Sequence, residues 1–82
     1  MLETVCRSTR DIFNAIQTAR EKSGMQWADF EIESGVTTNA VLKWGRGKSG
    51  CMTESVLKAL KTVGLEMVIR PMRKEDKENA DQ

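Results

Sequence analysis

The chain has 82 residues, room for one domain, and a formal net charge of +1 from 13 basic and 12 acidic residues, so its total charge favours no class of partner. Histidine is absent, which excludes Ser-His-Asp and Cys-His chemistry and most zinc sites, and no apolar run reaches the roughly 18 residues that a membrane span needs. A domain of this size buries only about 60% of the surface its unfolded chain exposes, and dimerisation is one usual remedy.

Residues 1–7 read as an N-terminal arm. The arm carries acid early and no continuous apolar stretch, unlike a secretory leader, so a cytoplasmic location is expected. Ser8 is placed to cap a first helix over about residues 9–22. Asp11, three residues on, suits a capping-box acid, and Ile12, Ile16 and Ala19 recur at helical spacing before Gly24. Residues 25–34 predict a second, short helix with Phe30 inward. Gly35 breaks it, and Val36 follows as a buried turn residue. Thr37 or Thr38 can cap a third helix running to about Trp44, with Val41 and Trp44 inward. Gly45, Gly47 and Gly50 mark a loop. Thr53 is the expected cap of a fourth helix whose apolar stripe is Val56, Leu57, Leu60 and Val63, ended by Gly64, with Lys58 and Lys61 on the wet side.

The period then changes. Leu65, Met67 and Ile69 alternate with Glu66, Val68 and Arg70, a strand pattern stopped by Pro71. A lone strand cannot satisfy its backbone donors and acceptors. The simplest partner is the same strand of a second copy, in an antiparallel ribbon across a two-fold axis, which makes Leu65, Met67, Val68 and Ile69 the dimerisation residues. Residues 3–7 are the alternative partner, within or between chains. Seven charges lie between residues 70 and 78, so 72–82 reads as a solvated, disordered tail. The expected architecture is therefore mainly α: four helices within a domain over 8–71, closed by a short strand. Cys6 and Cys51 are far apart with no CxxC spacing and read as reduced thiols.

Two short helices joined by a Gly-centred turn suit a DNA major groove, about 12 Å wide, which admits one helix while a second braces it across the backbone. Val36, Val41 and Trp44 would bury the back of the third helix; its front shows Thr38, Asn39, Leu42 and Lys43. Lys43, Arg46 and Lys48 cluster with no acid between them, although such charges are often only a solvated face. Residues 45–50 resemble a phosphate loop in composition, but the GxxxxGK[ST] spacing and the preceding strand are both missing.

Gly24 and Met25, Ser34 to Val36, Val41, Trp44, Arg46 and Gly47 resemble the Cro/repressor-type (XRE-like) helix-turn-helix family, over roughly residues 12–63. The stretch GRGKSGCMTESVLKALKTVGLEMVI is more narrowly similar to HipB-type antitoxins, in which a strand after the last helix builds the dimer. The resemblance implies that Thr38, Asn39 and Lys43 read base edges. It implies that Thr37, Arg46 and Lys48 hold phosphates, with backbone N–H groups at the start of the second helix adding to them. Three positions depart from the family pattern. Trp27 stands where a phosphate-touching Gln is usual, and both packing and a backbone contact remain open for it. Glu31 stands in place of a small Ala, and Gly45 in place of an acid that pairs with the first-helix Arg, here Arg20. A replacement pair of Arg20 with Glu31 is one expectation.

Three functions follow as expectations. The first is a dimeric, sequence-specific regulator of transcription, a repressor on an inverted-repeat operator. The second is an antitoxin that also binds a toxin protein and controls its own operon. The third is a protein-interaction module with degenerate DNA binding. No catalytic constellation, metal, cofactor or small-molecule ligand is expected.

Overall fold

Helix starts and stops in this chain are set by short polar side chains and glycines. The computed structural model describes residues 3–47 and 52–72. Among them are four α-helices: α1 (Thr9–Ser23), α2 (Trp27–Ser34), α3 (Thr38–Arg46) and α4 (Thr53–Thr62). Ser8 caps α1, its Oγ accepting the Asp11 N–H at 3.2 Å. The Asp11 carboxylate accepts the Arg7 N–H at 2.9 Å, so it secures the residue before the cap rather than the cap itself. At the other end, the Met25 N–H donates back to the Arg20 carbonyl at 3.2 Å. Met25 thus belongs to the closure of α1, which is why α2 begins at Trp27 and not at residue 25.

The turn between α2 and α3 needs Gly35. Its φ of 75° is left-handed, a conformation a side chain makes costly. Ser34, buried, then accepts the Val36 N–H on its Oγ at 3.0 Å, which drives the Val36 side chain inward. Thr37 caps α3, its Oγ1 accepting the Ala40 N–H at 3.2 Å. Removing such a cap typically costs about 1 kcal/mol. At α4 the expectation shifts by one position: Met52 occupies the extended cap position with no side-chain bond, and Thr53 is the first helical residue.

The core is one cluster drawn from all four helices and the turn: Ile16, Phe30, Val36, Val41, Trp44, Val56, Ala59 and Leu60. α1 packs on α3, and α2 packs on both α3 and α4. Burying each large member contributes about 1.5–3 kcal/mol before chain entropy is set against it. One sequence expectation is corrected in α4. Leu57 is 46% exposed, and Ala59 takes the inward place beside Val56 and Leu60. Residues 56, 59, 60 and 63 follow the helical period, whereas Leu57 lies about 100° round the axis from Val56.

After α4, the Leu65 N–H reaches back to the Leu60 carbonyl at 2.8 Å, and Leu65 packs against the core. Residues 65–72 then run without helix, and no strand ladder forms among the described residues. The within-chain pairing of residues 3–7 with 65–70 is therefore not seen. Val68 and Ile69 are 61% and 93% exposed. No helix among the described residues is long and apolar enough to cross a membrane. Lys48, Gly50, Cys51 and most of the expected charged tail, 73–82, lie outside the described residues.

Candidate nucleic-acid interface

α3 has two unlike faces. Val41 and Trp44 are buried against α1 and α2, and Ala40 packs at their edge. On the opposite side Asn39, Lys43 and Arg46 are all exposed. Their spacing of four and then three residues stacks them along one stripe of the helix. Thr38 and Leu42 are half-buried beside that stripe. The structure thus brings Thr37, Thr38, Asn39, Lys43 and Arg46 onto one short helix and its cap, with donor and amide groups outward. Thr37 is exposed, but one lone pair of its hydroxyl is already used in capping.

The start of α3 carries a feature the sequence did not disclose. Glu31, one turn before the end of α2, lends its Oε1 to the Thr38 N–H across the turn, at 2.5 Å. Two of the unpaired N–H groups at the helix start are therefore satisfied, by Thr37 and by Glu31. The backbone hydrogen bond from Thr38 holds the Glu31 carboxyl below its ordinary value. Glu31 does not pair with Arg20, and that expectation is corrected. Arg20 turns instead to the α1–α2 junction, where its Nη1 donates to the Met25 carbonyl at 2.7 Å and its guanidinium lies 4.3 Å from the Trp27 ring centre. A planar cation over an indole face is stabilised by the ring, and Arg20 Nη2 also lies 3.9 Å from the exposed Glu21 carboxylate, a pair that adds little in water. The Arg20 Nε is buried against this face without a hydrogen-bond partner.

Trp27 is half-buried in the same cluster. It meets Phe30 edge-on at 5.4 Å and lies nearly parallel to Phe13 at 6.5 Å. The indole face is occupied by Arg20 and by packing, so this position serves the α1–α2 junction first. Gly45 has an equally local reason. A Cβ there would lie 2.8 Å from Cδ2 of Phe13, closer than such atoms normally approach. A side chain at this position would displace the Phe13 ring, which itself lies alongside Trp27.

Electrostatically, α3 is polarised. Asp29, Glu31 and Glu33 belong to α2, with Glu31 at the start of α3, and Lys43 and Arg46 occupy its last turn. Among the described residues no cluster of acids and thiols could hold a metal ion. Comparisons of the chain with protein-family models, with curated proteins and with solved structures find no match.

Proposed function

We propose that the protein is a dimeric, sequence-specific DNA-binding regulator in which α3 is the reading helix, acting as a repressor on an inverted repeat. The observation that carries the reading is the division of α3: Val41 and Trp44 buried behind, Asn39, Lys43 and Arg46 exposed in a line in front. Asn pairs bidentately with adenine and Lys donates to guanine O6 and N7, while Arg46, at the helix end, suits a phosphate. Thr38, half-buried, contributes at the margin of the stripe, and Thr37 and Lys48 add phosphate contacts.

The second copy is proposed from residues 65–70. Met67, Val68 and Ile69 expose apolar side chains on a segment with no ladder among the described residues, and an antiparallel pairing of two such segments would cover them. Two reading helices about 34 Å apart would then meet successive major-groove faces. Selection from a random duplex pool tests this. The expected product is an inverted repeat with half-site centres about one helical turn, 10–10.5 base pairs, apart. Enrichment of no sequence would count against the reading.

A second reading, a module that binds protein rather than DNA, is favoured by α2. That helix carries Asp29, Glu31 and Glu33, and exposes Ile32 at 81%. It predicts that Asn39→Ala with Lys43→Ala leaves activity in cells intact. An antitoxin would keep the DNA site and add a toxin, so a toxin gene beside this one favours that variant of the first reading.

A further inference from the structure

We infer that Arg10, on the first turn of α1, is a phosphate-binding residue that acts beside Arg46 at the C-terminal end of α3; the inference rests on the DNA-binding reading above. The Arg10 Nε donates to the Gly45 carbonyl at 3.1 Å. That carbonyl belongs to the peptide joining Gly45 to Arg46, so the Arg10 guanidinium is held beside the backbone of Arg46.

The contact uses one of the five N–H donors of the guanidinium. No partner within the described residues takes the four on Nη1 and Nη2, and the residue is exposed. Tethering through Nε restricts the group and leaves Nη1 and Nη2 for a ligand. A fork held in this way meets a phosphate bidentately with little further ordering. The neighbouring Asp11 does not compete through its Oδ2, which is engaged by the Arg7 N–H.

The other end of α3 gives the complementary sign. Glu31 fills the Thr38 N–H with a carboxylate, which repels a DNA backbone there. Apart from the Thr37 hydroxyl, the phosphate strand is therefore taken at the C-terminal end of α3, beside Arg46, and α1 becomes part of the DNA surface there through Arg10 on its first turn.

The alternative role for Arg10 is a brace that only ties α1 to α3. Salt dependence separates the two. Each phosphate contact contributes roughly 0.9 to the slope of log K against log salt. Arg10→Gln should lower the slope by about 2 for a dimer and weaken specific and random duplexes alike, about 5- to 10-fold at moderate salt. Arg10→Lys should keep the slope and bind more weakly than the wild type. Should Arg10→Gln unfold, the wild-type protein still supplies the test: the Arg10 Nε–H resonance should shift when a random 20-base-pair duplex is added. An unchanged slope in a folded Arg10→Gln protein, or an unmoved Nε–H resonance in a bound complex, overturns the assignment. Failure of the wild type to bind any duplex overturns the DNA reading itself.

Discussion

Gly45→Ala sets two effects of opposite sign against each other in one substitution. Gly45 is helical, near the end of α3. In an open helix interior the change would stabilise by up to about 1 kcal/mol, because alanine loses less backbone freedom on folding. Here the new methyl would lie 2.8, 2.9 and 3.0 Å from three ring carbons of Phe13. The ring cannot turn aside freely, since Trp27 lies alongside it. Overpacking of this kind costs about 1–3 kcal/mol. The clash wins by about 1 kcal/mol, which in a domain of this size lowers Tm by roughly 4–8 °C. Urea unfolding followed by tryptophan fluorescence measures it. In a Phe13→Leu background the ring edge is gone, and the same glycine substitution should become neutral or stabilising. A stabilised Gly45→Ala protein with Phe13 intact would refute the close approach of α1 to α3.

Other consequences are equally direct. Thr37→Ala should cost about 1 kcal/mol of stability in urea unfolding, through loss of the α3 cap. Glu31 contributes through a carboxyl whose folded pKa is lowered from 4.5 by the Thr38 N–H. Its stabilisation is therefore fully present above the unfolded value, near 4.5, and is lost as pH falls through the folded one. The Tm gap between the wild type and Glu31→Ala should accordingly shrink below that pH. Ile69→Asp should abolish the proposed dimer in sedimentation while leaving the helical content unchanged, because Ile69 is 93% exposed and lies outside the helices. The Cys6 thiol is pushed above its ordinary value by partial desolvation and then by the charge of Asp11. In a Cys51→Ser protein, Cys6 should therefore react with a thiol reagent at pH 8 more slowly than a peptide cysteine does.

The helices were legible because their signals are local. Ser8, Gly24, Gly35 and Thr37 act on backbone groups within a few residues, and Phe30, Val41 and Trp44 recur at the helical period. The limits of that logic show in α2, where Met25 looks like a helix start but its N–H is spent closing α1. Leu57 misled because apolar type alone does not fix a helix face; its smaller neighbour Ala59 lies on the correct one. The replacement for the missing Arg20 pair was not legible. Charge complementarity suggested Glu31, but an indole face, a main-chain carbonyl and the edge of the Glu21 carboxylate took the guanidinium, and Glu31 was drawn to the Thr38 N–H at the start of α3. Such exchanges depend on which polar groups a turn leaves open, and that follows from the assembled fold. The outward places of Asn39 and Lys43 were readable from spacing; Arg46 falls in line with them because α3 runs on through Gly45, expected in a loop, to Arg46, and the Arg10 contact with the Gly45 carbonyl spans 35 residues of sequence.

The proposal that α3 reads DNA is tested most directly by binding of a selected duplex and a scrambled one to the wild type and to Asn39→Ala/Lys43→Ala. Each bidentate base contact discriminates by about 1–3 kcal/mol. The double variant should lose roughly 10-fold or more in affinity for the selected duplex, and little for the scrambled one. Equal affinities of wild type and variant for the selected duplex would contradict the account.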